Sequence, residues 1–258
     1  MKLYIFGSCS GTEPFENRHH TAYAFEINGR IYWFDAGESC SHTAYTMGVD
    51  LMRISDIFIS HQHIDHVGGL CNLLWTIKKL NIMKKLMPVY GDITVHMSNT
   101  AVFDCTMDML ALIAGGSKKN PYNTVCKKIT DGILLENSDA RIEAMHNLHL
   151  APENGEWRAH SFRISAEGKK IITSGDVKSI SELSDWLEEG CYLLLMETGH
   201  HDPAEVCRII KENGWSIGMI CFFHHGRIIL NDFDGTLKKC REIIPNVIFC
   251  NDRDVIEI

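Results

Sequence analysis

The 258 residues predict one mixed α/β domain, 1–258, built of two packed sheets with helices outside. Three observations carry this. Strand patterns run as an early meander and later alternate with helical ones. The two regimes fill halves of similar size. No repeat, low-complexity tract or linker interrupts them.

Taken in order, Lys2 to Phe6 reads as a strand running into the Gly7-Ser8-Cys9-Ser10-Gly11 loop. Thr21 to Ile27 and Arg30 to Asp35 flank Asn28-Gly29, a dipeptide suited to a two-residue hairpin turn. Glu38 to Met47 reads as a helix ending at Gly48, and Ile54 to Ser60 as a strand. From Gly69 to Met83, Leu70, Leu73, Leu74, Ile77 and Leu80 share one helical face, which leaves Lys78, Lys79, Lys84 and Lys85 to solvent. Pro88 to Tyr90 is expected as a strand and Asn99 to Ala114 as a helix stopped by Gly115-Gly116. Ser117 to Lys128, with Lys118, Lys119, Lys127 and Lys128 around Pro121, reads as a solvated loop; a substrate-phosphate contact is the alternative.

In the second half, Arg141 to His146 alternates like a strand. Phe162 to Ser165 and Lys170 to Thr173 flank Glu167-Gly168, a second hairpin signal. Ser179 to Glu188 is expected as a helix and Tyr192 to Met196 as a strand. Pro203 to Asn213 is a helix with Pro in its first turn and Asp202 as its N-cap. Gly218 to Phe223, Phe233 to Ile243 and Val247 to Cys250 follow as strand, helix and strand, before a short apolar tail.

The apolar fraction, 45%, is ordinary for a soluble globular chain, and no apolar run approaches the ~20 residues of a membrane span. Met1 to Phe6 lacks the h-region and cleavage site of a signal peptide. Ten cysteines without a C-x-x-C spacing give neither a disulfide framework nor a thiolate zinc site, so a reducing cytoplasm is the expected compartment. A net charge of −8 argues against broad electrostatic binding to nucleic acid or anionic membranes.

The chemistry concentrates in Ile57-Phe58-Ile59-Ser60-His61-Gln62-His63-Ile64-Asp65-His66-Val67-Gly68-Gly69. If the strand persists through His61 and His63, period-two geometry puts both imidazoles on one face. Asp65 and His66 then fall in the turn and can point back to the same place. Imidazole nitrogen and carboxylate oxygen are the usual ligands of zinc and similar ions. A polar loop with exposed histidines is the bland reading, but four ligand-type side chains within six positions exceed what one such loop needs.

His61-x-His63-x-Asp65-His66 after a hydrophobic strand resembles the signature of the metallo-β-lactamase superfamily of metal-dependent hydrolases. The resemblance implies an αββα four-layer sandwich of two mixed sheets with helices outside. It also implies that loops at strand ends complete a site for two divalent ions, zinc first, with manganese or iron as alternatives. His61, His63 and His149 are assigned to one metal, Asp65, His66 and His224 to the other, and Asp176 to both. His146 stays the alternative to His149, and His225, expected to face the pocket rim, the alternative to His224. Asp35 matches a family aspartate that supports the metal loop, and His20 is a candidate substrate contact.

Met196-Glu197-Thr198 with His200-His201-Asp202 resembles the paired loops of the ribonuclease Z-like branch, which processes the tRNA 3′ end. By that resemblance Glu197 orients His201, which protonates the leaving oxygen, although the spacer is short. The other reading makes His200 and His201 exposed loop residues. The long arm that grips tRNA in bacterial members has no counterpart, since His149 to Asp176 holds only a loop and one hairpin. A small or cyclic phosphodiester, not tRNA, is therefore the expected substrate, attacked by metal-bridging hydroxide with Asp65 also accepting a proton. A thioester or lactone hydrolase of the glyoxalase II-like kind is the alternative, and a di-iron oxidoreductase a further one. Pocket walls are expected from Cys9 to His20 and Gly115 to Lys128, and a homodimer, common among relatives, stays open.

Overall fold

The computed structural model describes residues 1–113 and 122–258. Ala114, Gly115, Gly116, Ser117, Lys118, Lys119 and Pro121, named above, lie outside the described residues. The chain divides into two compact units. One comprises Met1–Gly7, Phe15–Ile129 and Asp252–Ile258, the other Ser8–Pro14 and Thr130–Asn251.

The first unit contains β1 (Lys2–Gly7), β2 (Ala22–Ile27), β3 (Arg30–Phe34), α1 (Cys40–Thr46), β4 (Ile54–Ile59), α2 (Ile64–Val67), α3 (Leu70–Lys84), β5 (Ile93–Met97), α4 (Thr100–Ile113) and β6 (Thr124–Lys128). With the last strand of the chain, β14 (Val255–Glu257), they form a seven-stranded sheet of order β14-β1-β2-β3-β4-β5-β6. The meander β1-β2-β3 is antiparallel, and β3 to β6 run parallel. At the β2–β3 turn both Asn28 and Gly29 have positive φ, 51° and 79°, as a two-residue hairpin of matching twist requires. Alternate strand residues such as Trp33, Ile57, Ile59 and Val95 share a core with Leu70, Leu73 and Ile77 of α3 and Phe103 of α4. Period two on the strands and 3.6 on the helices thus meet on one sheet face.

Three expectations for this unit change. Pro88 to Tyr90 is not a strand: proline lacks the N–H a ladder needs, and Gly91 N–H bonds Pro88 O at 3.3 Å in a turn. The strand lies just beyond it, as β5. Lys127 and Lys128 belong to β6, not to a loop, and their strand is the last in the sheet order. Lysines on an edge strand deter pairing with another chain, so edge protection resembles a loop in sequence. The apolar tail forms β14, paired with β1.

The second unit contains β7 (Gly132–Glu136), β8 (Arg141–His146), β9 (His160–Ala166), β10 (Lys169–Thr173), α5 (Ser184–Glu188), β11 (Cys191–Thr198), α6 (Pro203–Asn213), β12 (Ile217–His225), α7 (Arg227–Asn231), α8 (Phe233–Ile243) and β13 (Val247–Phe249). Its sheet has the order β13-β12-β11-β10-β9-β8-β7, antiparallel from β7 to β10 and parallel from β10 to β13. Sequence reading missed β7, a short edge strand, and α7. The Glu167-Gly168 turn again has both φ positive, 50° and 73°. Asp202 caps α6 as expected, accepting the Ala204 N–H at 2.9 Å. Ile172, Leu194, Met196, Ile220 and Phe222 pack with Leu187, Val206 and Ile210. No helix among the described residues is long and apolar enough to cross a membrane.

Candidate functional site

In the first unit the strand ends at Ile59, one residue short of the expectation, so strand alternation does not bring His61 and His63 together. The loop and the one-turn α2 do it instead. The His61 ring lies 4.5 Å from that of His63 and 4.1 Å from that of His66, centre to centre. His61, Asp65 and His66 are buried, whereas His63 is exposed. Asp65 Oδ2 stands 3.4 Å from His66 Nε2.

Asp35 organises this cluster. It sits just past β3 with φ of 52°, a left-handed conformation that Asp tolerates better than most residues. Its carboxylate accepts the Ser60 N–H at 2.7 Å, the Ser60 hydroxyl at 3.0 Å and His66 Nδ1–H at 2.8 Å. Ser60 has one hydroxyl proton, and Asp35 receives it. Ser60 Oγ, 3.1 Å from His61 Nδ1, therefore accepts from that ring. Both imidazoles thus carry a proton on Nδ1, which makes Nε2 the nitrogen through which either could coordinate a divalent cation. Behind them Gly69 is required, because a Cβ there would meet Gly37 O at 2.1 Å. His20, the candidate substrate contact, pairs with Glu38 at 2.5 Å.

In the second unit two loops and the end of β12 converge on Asp176, which is buried in the Ser174-Gly175-Asp176 turn after β10. Its carboxylate oxygens lie 3.4 Å from His224 Nε2, 3.7 Å from His149 Nε2 and 3.8 Å from His200 Nδ1. His146 is occupied elsewhere: Nδ1 bonds Asp131 at 2.6 Å and the ring stacks on Trp157 at 4.0 Å.

A β-bulge separates the two adjacent histidines of β12. Glu197 of β11 pairs with Phe223 and Thr198 with His225, so His224 is the extra residue, with φ of 52°. The bulge turns the His224 imidazole toward Asp176. His225 turns inward and donates from Nε2 to Cys250 O at 2.7 Å. The expectation that His225 faces the pocket rim is therefore corrected: it is fully buried.

Glu197 is also fully buried, and its carboxylate faces histidines and backbone. It accepts from His200 Nδ1 at 3.0 Å and the His200 N–H at 3.0 Å, with His201 Nε2 at 3.2 Å and His224 Nδ1 at 3.6 Å. Burial pushes its carboxyl up, but the hydrogen bonds from these histidines outweigh that and hold it well below the ordinary carboxylate range. The bond to Glu197 raises His200, and for His201 the same carboxylate overcomes burial.

The two histidines differ in access. His201 Nε2 is 3.0 Å from Val177 O and its side chain is 15% exposed, whereas the His200 side chain is 46% exposed. Sequence reasoning paired Glu197 with His201 and treated His200 as a neighbour. The structure engages both, and the adjacency of His200 to Gly199 was the signal available. Asp176, Glu197, His200 and His224 each offer a ligand atom within 4.8 Å of the others, a donor set suited to a divalent cation. Beside them a pocket of about 490 Å³ is lined by Leu148, His149, Pro152, Trp157, Lys178 and His200 among others. Its walls come from residues 148–157 together with Val177, Lys178 and His200.

The sequence matches the family described as "Anti-Pycsar protein Apyc1" over residues 1–206. Ribonuclease Z of Methanothermobacter thermautotrophicus is 26% identical over 58% of this chain, which spans only 45% of that relative's length. Ribonuclease Z of Pyrococcus abyssi is 24% identical over 93% of this chain and 92% of its own. Among solved structures, the metallo-β-lactamase fold protein YhfI from Bacillus subtilis superposes with a TM-score of 0.76 at 16% identity, covering 99% of each chain. The short form of human tRNase Z gives 0.70 at 18% identity, over 100% of this chain and 99% of that one. The fold is accordingly the metallo-β-lactamase fold, the αββα class that the sequence led us to expect.

Proposed function

This chain belongs to the family of the anti-Pycsar protein Apyc1, and from that premise we propose that it is a metal-dependent hydrolase of a small or cyclic phosphodiester. The observation that carries the reading is the cluster around Asp176, in which one buried carboxylate stands 3.4–3.8 Å from three imidazoles. Such an arrangement is electrostatically apt for cations. The proposed ligands are His61, His63, Asp65, His66, His149, Asp176 and His224, for two divalent ions, zinc foremost. The donor chemistry fits, because His61 and His66 have Nδ1 engaged by Ser60 and Asp35, and Nε2 is the nitrogen that would coordinate. Ions bound there would act as Lewis acids and supply hydroxide from water near neutral pH.

The chain's own residues supply the rest. Asp65 can accept a proton as well as coordinate. Glu197 stabilises a protonated imidazole next to it, and His200, more exposed than His201, is the better placed to hand that proton to a leaving alkoxide. His201, held by Val177 O and Glu197, is then a positioning residue. This modifies the donor assignment drawn from sequence resemblance while keeping Glu197 in its role.

Two features favour a small substrate. Between His149 and Asp176 the chain has only a loop and the β9–β10 hairpin, so nothing there corresponds to a tRNA-gripping arm. The pocket beside His149 and His200 combines apolar walls with one lysine, Lys178, which suits a compact anion with an apolar face. Ten cysteines without a C-x-x-C spacing suit a reducing, cytoplasmic setting.

The test is hydrolysis of bis-p-nitrophenyl phosphate by purified protein loaded with Zn²⁺ or Mn²⁺, beside a thioester and a lactone. Turnover of the phosphodiester that His63→Ala abolishes supports the proposal. Preference for the thioester or lactone, or no turnover with any metal, overturns it.

A further inference from the structure

A buried polar chain runs behind the second unit's histidines, and none of its members is among the proposed ligands. Asn147 Oδ1 accepts the backbone N–H of His149 at 3.1 Å, and its Nδ2 donates to Ser161 Oγ at 3.2 Å. Ser161 Oγ donates to Ser174 O at 2.6 Å. Ser174 Oγ in turn donates to Gly175 O at 2.6 Å and accepts the Glu197 N–H at 3.0 Å. Asn147, Ser161 and Ser174 are each 0–1% exposed. Each hydroxyl donates once and accepts once, in two runs that meet at Ser174: His149 N–H to Asn147 to Ser161 to the Ser174 carbonyl, and Glu197 N–H to the Ser174 hydroxyl to Gly175 O.

Where the chain ends is informative. Its termini are the backbone N–H of His149, the carbonyl preceding Asp176, and the N–H of Glu197. Those residues come from three separate connections: the loop after β8, the turn after β10, and β11. Ser161, on β9 between them, is the only side chain that joins the first to the other two among these bonds. An ordinary buried serine could satisfy itself on its own strand. This one spans elements.

We propose that Asn147, Ser161 and Ser174 form a positioning relay that sets the spacing of the metal ligands His149 and Asp176 and of Glu197 beside them. The proposal rests on the metal-hydrolase reading and deepens it. Loss of one hydroxyl breaks the tie between the His149 loop and the Asp176 turn while leaving every ligand side chain present. Groups that orient first ligands carry about 10–100-fold in metal affinity or activity.

The experiment measures zinc affinity of the full chain by competition with a chromophoric chelator, together with kcat and KM on bis-p-nitrophenyl phosphate and the metal-free melting temperature. The variants are Asn147→Ala, Ser161→Ala, their double mutant, and Ile210→Val as a core substitution away from the relay. The relay predicts zinc affinity and kcat about 10–100-fold lower for each single variant, with KM little changed. The double mutant loses no more than either single, because each already breaks the same chain. Ile210→Val lowers the melting temperature and leaves zinc affinity intact. Single variants that melt earlier yet bind zinc like the parent, or losses that simply add, overturn the relay. A parent chain that binds no zinc overturns the metal reading beneath it, and the relay with it.

Discussion

Asp35 and His66 form a pair shielded from water, Oδ2 to Nδ1 at 2.8 Å, with side chains 1% and 0% exposed. The contact joins the end of β3 to α2, over 31 positions of sequence. It fixes which imidazole nitrogen keeps its lone pair. Asp35→Asn retains the shape but replaces an acceptor oxygen by a donor, opposing His66 Nδ1–H and the Ser60 donors. We expect zinc affinity to fall about 10–100-fold, read by chelator competition. An unchanged affinity would remove Asp35 from the site.

Gly199 has no room for a side chain. A Cβ there would lie 2.6 Å from His224 Nδ1 and 2.7 Å from its Cε1. Gly199→Ala should therefore displace the His224 ring from Asp176 and lower turnover at least about tenfold, since small misplacements of reacting groups are costly. The assay is turnover at saturating metal, with circular dichroism to confirm the fold.

His200 and His201 can be told apart by leaving group. A general acid matters most for a poor leaving group and typically contributes 10²–10⁴-fold. His200→Gln should slow an alkyl phosphodiester about 100-fold and bis-p-nitrophenyl phosphate far less. His201→Gln should affect both substrates alike. The reverse pattern would restore His201 as the donor.

Acid sensitivity should trace to His160. Burial pushes its imidazole down to about 4, against 6.5 ordinarily; Asp131 opposes the shift and His146 adds to it. Between those values the unfolded chain takes up a proton that the folded chain refuses. Stability is thus full above pH 6.5 and falls as pH drops toward 4. At pH 4.5 this group alone costs about 2–3 kcal/mol. Urea unfolding at pH 7 and 4.5 should show a smaller loss for His160→Asn than for the parent, and equal losses would refute the assignment.

Elements with strong local signals were legible in the sequence. The Asn28-Gly29 and Glu167-Gly168 hairpins, α6 with its Asp202 cap, and α8 depend on near-neighbour preferences, and they occur at or within a few residues of the positions expected. Of the edge strands, β13 was legible from its apolar run, whereas β6, β7 and β14 were not, because their residues are half-buried or exposed and carry no buried alternation to announce them. Pro88 to Tyr90 misled for a related reason: an apolar run suggests a strand until the missing proline donor is counted.

By itself the sequence determined the inventory of the candidate site: which imidazoles and carboxylates exist, and that they fall near strand ends. Those are properties of residue type and spacing. Only the tertiary structure decided where each one points. His224 and His225 are neighbours that a regular strand would send to opposite faces. The bulge opposite Thr198 instead aims one at Asp176 and buries the other against Cys250. Likewise Asp35, His66 and Ser60 meet through pairing of β3 with β4, and Glu197 meets His200 within one turn after β11. Bulges and cross-strand registers arise from contacts distant in sequence, and no local period encodes them.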